Sequence, residues 1–267
     1  MNYQRKSGYT LIELLVVIAV IAVIAVIAVI AVIAVIAVIA VLIGILVPTL
    51  RHVRRSSQDG VSLANMRTHT QAVHLYAGDF RDYAPFFADP DATYSVARGG
   101  GLTVTFEYFE SVEMWVVALV DRYYGLGFGT NQWDEHIDWS LFARPGVDGY
   151  LYQYSPTFLA RPQYWNEDTR AEGQLGPIRM SMVRYASSKS VFIELDQQRS
   201  FPIWGSSGLA GDRGWAFSFV DGSASRPSAD RLVQPYHRGE GTAHGGRFNI
   251  GVVGLHTEDG VLGRDVE

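Results

Sequence analysis

The stretch at residues 7–50 reads SGYT LIELLVVIAV IAVIAVIAVI AVIAVIAVIA VLIGILVPTL. An Ala-Val-Ile triplet recurs up to Val41, and the 37 residues from Leu14 to Leu50 carry no charge. Lipid offers no water to the backbone, so a spanning segment must satisfy its own N–H and C=O groups, as a helix does. A run of about 18 such residues is enough to span a bilayer. The stretch therefore predicts a transmembrane helix.

One acidic residue, Glu13, lies at the start of this apolar run. An ionised carboxylate in the middle of a membrane helix costs about 2.5 to 3.5 kcal/mol on insertion, so such an acid is a candidate for a functional role with a partner. The alternative is that Glu13 lies near the lipid headgroups, one turn inside the span.

Three residues at this N-terminus, Gly8, Tyr9 and Glu13, follow a basic leader and resemble the processing site of type IV prepilins and type II secretion pseudopilins. In that family a prepilin peptidase cuts after the glycine and methylates the new N-terminus, and a glutamate lies five residues past the cut. Tyr9 stands where the family usually has phenylalanine. The resemblance implies cleavage after Gly8, N-methylation of Tyr9, and an assembly contact between Glu13 and the amino terminus of a neighbouring subunit.

The same resemblance implies the partners and the location of the chain. The partners would be prepilin peptidase, other pilin or pseudopilin subunits, an inner-membrane assembly platform and the lipid bilayer. The location would be the bacterial inner (cytoplasmic) membrane, with the globular domain in the periplasm or at the cell surface. Charge alone does not give this orientation, because Lys and Arg residues flank the span on both sides. An uncleaved signal anchor is the main alternative for the N-terminus.

These observations divide the chain into a leader peptide at residues 1–8, a pilin-like helix at residues 9–80 and a globular α+β domain at residues 81–267. Within the helix, residues from about 11 to 47 are predicted to span the membrane and residues from about 61 to 80 to be amphipathic. Pro48 is expected to kink or interrupt the helix because it lacks a backbone N–H.

The amphipathic part has apolar residues at three- and four-residue steps, which predicts packing on a sheet. The stripe consists of Leu63, Met66, Thr70, Val73, Ala77 and Phe80. His69 and His74 lie off this stripe and on different faces of the helix, since they are five residues apart. Solvated or partly packed histidines are therefore favoured over a metal site.

The globular domain is predicted to carry short, separate strands, each bounded by turn residues, and one further helix at residues 111–124. The strands are expected within residues 102–108, 150–154, 191–195, 215–220 and 247–253, and Asp221-Gly222 is expected to form a turn. A long helix followed by such strands indicates an α+β fold in which the N-terminal helix packs on an antiparallel sheet.

A stretch starting at His244 resembles the C-terminal H-X9-D-G motif of many prepilin-processed proteins of planctomycete type. This chain has Gly254-Leu255 where that motif has Asp-Gly, whereas His256 falls where a further histidine often follows. The motif is thus degenerate, and Asp259-Gly260 suggests a shifted or longer turn. No metal site is predicted, because His237, His244 and His256 lack dense ligand spacing.

Calcium is the one cofactor that the sequence leaves open. Asp134, Glu135 and Asp138 form the nearest oxygen-rich cluster, but they lack the alternating pattern of a calcium loop, so a solvated acidic turn is favoured. The formal charge of −5 and the lack of a long basic tract argue against nucleic acid as a partner. No catalytic or nucleotide-binding motif is present, so no enzymatic activity is expected.

The aromatic residues of the domain have two interpretations: filling of the core, which we favour, or a surface that binds sugars or proteins. They include Tyr123, Tyr124, Trp133, Trp139, Tyr150, Tyr152, Tyr154, Tyr164 and Trp165. The primary prediction is a pilin-like subunit of a type II secretion or type IV pilus-like filament. The alternative is a membrane-anchored module that recognises carbohydrate or a cell-wall component and does not polymerise.

The triplet repeat itself is interpreted as a spacer. Relative to the usual position of the proline in the family, it lengthens the helix by about 18 residues, or five whole turns. An insertion of that length keeps the helical phase.

Overall fold

The computed structural model describes residues 10–86, 90, 94–98, 102–106, 108, 115–124, 142, 152–166, 168–171, 173–194, 215–233, 242–243, 248–249 and 257–267. The chain divides into two compact units, Met1–Ser56 and Ser57–Glu267. The division falls within the first helix.

Helix α1 extends over Leu11–Asp79 and includes Pro48 without a break. The expected interruption at Pro48 is therefore wrong, and the alternative of a kink stays a prediction. Pro48 removes one backbone hydrogen bond, the one to the carbonyl of Gly44, and the bonds of the surrounding turns continue the helix. The Thr49 hydroxyl donates to the carbonyls of Leu46 at 2.7 Å and Ile45 at 3.3 Å. Among the described residues, α1 is the one helix long and apolar enough to cross a membrane.

The C-terminal part of α1 buries most of the predicted stripe. Met66, Thr70, Val73 and Ala77 are buried, whereas Phe80 is exposed. The buried face is wider than the stripe, since it also includes Ser62, His69, Ala72 and Tyr76.

The described strands pair antiparallel in three groups. A hairpin joins β1 (Tyr94–Arg98) to β2 (Leu102–Phe106). A four-stranded sheet follows, with strands in the order β3 (Gln153–Tyr154), β4 (Ser190–Ile193), β5 (Phe217–Phe219) and β6 (Ala224–Ser225). The last pair is β7 (Thr242–Ala243) with β8 (Phe248–Asn249). Helix α2 extends over Val116–Tyr123.

These elements confirm the predicted α+β fold with an antiparallel sheet. Strands β2, β3, β4, β5 and β8 coincide with or overlap the predicted segments, and α2 lies inside its predicted range. The strands β1, β6 and β7 were not expected.

The turn between β5 and β6 is the predicted one. Gly222 has φ of +83°, a left-handed conformation that glycine adopts without strain. The Ser223 amide donates to Asp221 Oδ1 at 2.9 Å, which closes the turn. Asp221-Gly222 therefore acts as a hairpin turn.

Helix α1 packs on this sheet, as predicted. Thr70 Oγ1 donates to Ser218 Oγ on β5 at 2.8 Å, and both residues are buried. The core interpretation of the aromatic residues is confirmed for Tyr152, Tyr154, Tyr164 and Trp165, which are all buried. Trp133, Trp139 and Tyr150 lie outside the described residues, and Tyr123 and Tyr124 are half-buried.

Candidate functional site

The start of α1 is held by two residues that bind each other, Thr10 and Glu13. The Thr10 amide and hydroxyl donate to Glu13 Oε2 at 2.8 and 3.0 Å, and the Glu13 amide donates to Thr10 Oγ1 at 3.4 Å. This is a capping box, with threonine at the N-cap and glutamate at the third helical position. It satisfies N–H groups that the first turn of a helix leaves without partners.

The cap gives Glu13 a local role that sequence reasoning missed, although the spacing Thr-x-x-Glu is a signal for it. Within the described residues these hydrogen bonds use Oε2, so Oε1 can accept from another group. Glu13 is exposed on the helix. Gly8 and Tyr9 lie outside the described residues, so their cleavage and methylation stay predictions.

A second polar cluster joins α1 to the sheet in the Ser57–Glu267 unit. Ser62 Oγ donates to Glu194 Oε2 at 3.0 Å and lies 3.2 Å from the Tyr152 hydroxyl. Arg226 forms ion pairs with Glu194 and, at 3.3 Å, with Asp59. Burial raises the pKa of Tyr152 to about 12, so its hydroxyl stays protonated at neutral pH. The cluster fixes the helix on the sheet.

A third cluster holds the C-terminal residues of the chain. Lys189 Nζ donates to Asp265 Oδ1 at 2.9 Å, and both side chains are fully buried. Ser190 donates to Asp265 Oδ2 through its amide at 3.0 Å and its hydroxyl at 2.7 Å, and the Thr257 hydroxyl donates to Oδ1 at 3.1 Å. Burial lowers the pKa of Lys189, while Asp265 opposes this shift. Sequence reasoning missed this pair.

His69 corrects an expectation of the sequence. It is buried, with 2% of its surface exposed, and its ring lies against those of Trp115 and Phe142 at centroid distances of 5.0 and 5.3 Å. Its Nδ1 lies 2.5 Å from the Tyr124 hydroxyl, whose pKa is raised by burial. His69 is thus a hydrogen-bonded core residue, whereas His74 is exposed and on another face, as predicted.

The predicted C-terminal residues are described only in part. His244 and His256 lie outside the described residues, so the resemblance to the H-X9-D-G motif stays a prediction. Asp259 and Gly260 do form a tight turn, with φ of +66° and +55°. A β-carbon on Gly260 would lie 2.4 Å from Trp165 Cδ1, so the turn needs glycine at this position.

Metal ligation finds no support in the described part of the chain. There, no three His, Cys, Asp or Glu side chains lie close enough to hold a metal ion. Asp134, Glu135 and Asp138, the residues considered for calcium, lie outside the described residues.

One long apolar helix, followed by an α+β unit with an antiparallel sheet, defines the class of this protein as pilin-like in fold. A family model described as the prokaryotic N-terminal methylation motif matches residues 3–29. The chain therefore carries the N-terminal motif of type IV prepilin-like proteins, and this motif includes Gly8, Tyr9 and Glu13. No curated protein matches the chain, and no solved structure does.

Proposed function

We propose that this chain is a pilin-like structural subunit rather than an enzyme. Prepilin peptidase would cut it after Gly8 and methylate Tyr9, and the mature chain would assemble through α1 into a type II secretion or type IV pilus-like filament. The observation that carries the proposal is the methylation motif at residues 3–29, continued by an apolar helix long enough to cross a membrane.

The role of Glu13 in assembly is supported by its chemistry. Cleavage after Gly8 creates a positively charged amino group at Tyr9, four residues before the carboxylate. In an apolar surrounding an ionised acid needs a partner, and the amino group of a neighbouring subunit would supply one. The Thr10 cap leaves Oε1 able to accept this contact while Oε2 stays bound to the helix start.

The proposed location is the bacterial inner membrane, with the globular domain outside the cytoplasm. The apolar helix near the N-terminus supports a membrane anchor. The orientation follows from the proposed processing, because the peptidase of this family works at the cytoplasmic face. A reporter enzyme that functions only outside the cytoplasm should therefore be active when it is fused after Glu267.

Processing is tested by expressing the full chain with and without an active prepilin peptidase. Mass spectrometry of the N-terminus should find a methylated chain that starts at Tyr9, and only when the peptidase is active. Gly8→Ala should block the cut. An intact Met1 terminus in the presence of active peptidase would overturn the proposal.

Two variants of Glu13 separate the charge from the helix cap. Glutamine can take the place of glutamate in a capping box, so Glu13→Gln keeps the cap and loses the charge, whereas Glu13→Ala loses both. Prepilin peptidase should cut both variants. Because assembly is proposed to depend on the charge of Glu13, neither variant should form filaments. Filaments of Glu13→Gln at the wild-type level, together with none of Glu13→Ala, would mean that the cap matters and the charge pairing does not.

The recognition module would give a different pattern. It would stay at the membrane as single chains, form no filaments and bind cell-wall carbohydrate through its globular domain. Four of the aromatic residues that could form such a binding surface are buried in the structure: Tyr152, Tyr154, Tyr164 and Trp165. Filament formation without carbohydrate binding would favour the pilin-like subunit.

A further inference from the structure

The triplet repeat of α1, residues 19–41, presents the same surface on every side. Three residues advance an α-helix by about 4.5 Å and rotate it by about 300°. A shift of about 4.5 Å combined with a turn of about 60° in the opposite sense therefore maps the repeat onto itself. The exposed fractions show this regularity, since Val26 and Val32 have 58% and 59% of their surface exposed, and Ile27 and Ile33 have 61% and 60%.

This surface is too long for lipid alone to cover. The 37 uncharged residues lie in one continuous helix, which at 1.5 Å per residue gives them a length of about 55 Å. The hydrocarbon core of a bilayer is about 30 Å thick. Burying the whole length by tilting would need about 57°, beyond the roughly 40° at which membrane helices are found. About 25 Å of valine and isoleucine surface thus needs another cover, since its exposure to water is unfavourable.

The part of the apolar helix that exceeds the thickness of the bilayer indicates which partner can cover it. An ordinary span of about 20 residues ends where the bilayer ends and would leave the excess in water. A second copy of this chain carries the same excess, on the same side of the membrane and at the same height. Copies of the chain are therefore partners whose apolar length is matched to this helix.

We propose that the repeat is a self-association surface for parallel copies of this chain, and that it accepts several registers about 4.5 Å apart rather than a single one. The proposal rests on the proposed function in that α1 must be inserted in a membrane. Because a shift by one triplet together with its turn of about 60° restores every contact within the repeat, it changes the contacts only at the two ends. Neighbouring helices can thus move past each other by whole triplets, turning by about 60° at each step, and stay packed.

Disulfide crosslinking tests the number of registers, and the natural chain has no cysteine that would interfere. One copy carries Ala28→Cys, and a second copy, with a different tag, carries a single cysteine at each position from 28 to 34 in turn. The full-length chains are reconstituted together in vesicles without assembly proteins, and then oxidised. A disulfide forms only when the β-carbons approach to about 3.5–4.5 Å, so its yield reports the offset between the helices.

We expect the disulfide yield to vary with a period of three positions. Positions that are three residues apart should give yields within about twofold of each other. The matched control has the residues at 19–27 and 35–41 reordered without a change of composition, so that the triplet order is lost. In this control a single maximum is expected.

Three results would overturn the proposal. A single maximum in the natural repeat would mean one register, and equal behaviour of the control would mean that the triplet order is irrelevant. No disulfide at any position would mean that lipid alone surrounds the repeat. Cleavage after Gly8 is measured separately on the same chains, so a failure of the proposed function is distinguishable from a failure of this one.

Discussion

Replacing Asp265 by asparagine should strongly destabilise the Ser57–Glu267 unit. The carboxylate accepts four hydrogen bonds, one of them from the fully buried ammonium group of Lys189. Asparagine keeps the shape of the side chain, but it directs an NH2 group toward hydrogen-bond donors and leaves Lys189 without a counter-charge. Lys189 would then respond by losing its proton, because burial already lowers its pKa.

The magnitude follows from the burial of the pair. Removing one partner of a buried ion pair costs about 3–5 kcal/mol, against a total stability of about 5–15 kcal/mol for a typical domain. For a unit of this size the melting temperature should fall by roughly 6–20 °C. Lys189→Met should cost less, about 1.5–3 kcal/mol, because Asp265 keeps its bonds from Ser190 and Thr257. The double variant should cost less than the sum, since it removes both charges.

The assay is urea unfolding of the full chain in detergent, followed by tryptophan fluorescence. All six tryptophans lie after residue 114, so the signal reports the globular part alone. Asp168→Asn, at an exposed position, is the matched control and should change stability by less than about 0.5 kcal/mol. A stability of Asp265→Asn within about 1 kcal/mol of the wild type would contradict the assigned role of this ion pair, as would a larger loss for Lys189→Met.

Three further predictions concern other parts of the chain. Gly260→Ala should cost about 2–4 kcal/mol, because its β-carbon would lie 2.4 Å from Trp165; Gly173→Ala, at φ of +74° in open space, should cost only about 1–2 kcal/mol in the same unfolding assay. The raised pKa of Tyr152, about 12 against 10.0, gives stability that is fully present below pH 10 and is lost as pH rises through 12, in total about 3 kcal/mol. The urea midpoint of Tyr152→Phe should accordingly fall less between pH 9 and pH 12 than that of the wild type. Deleting six triplets, about 18 residues and five turns, should leave cleavage after Gly8 intact by mass spectrometry, and loss of cleavage would show that the repeat itself is needed.

Local sequence patterns predicted the elements whose signal lies within a few neighbouring residues. The apolar run predicted α1, and the segment at residues 215–220 predicted β5 together with its turn at Asp221-Gly222. Strand β6 has only two residues, Ala224–Ser225, too few to show an alternation. The failure at Pro48 has a different cause, because the loss of one backbone hydrogen bond did not end a helix whose neighbouring turns keep theirs.

The contacts that fix the globular unit carry no local signal, because their partners are far apart in the chain. Ser62 and Glu194 are separated by 132 residues, and Lys189 and Asp265 by 76. In the sequence, Ser62 is a polar residue beside an apolar stripe, and its burial becomes understandable only when β4 brings Glu194 to it. The capping box of Thr10 and Glu13 is the opposite case, since three residues separate the partners and the pattern alone defines the bond. A contact between residues a few positions apart is therefore predictable from sequence, whereas a contact such as that of Ser62 with Glu194 depends on residues that only folding brings together.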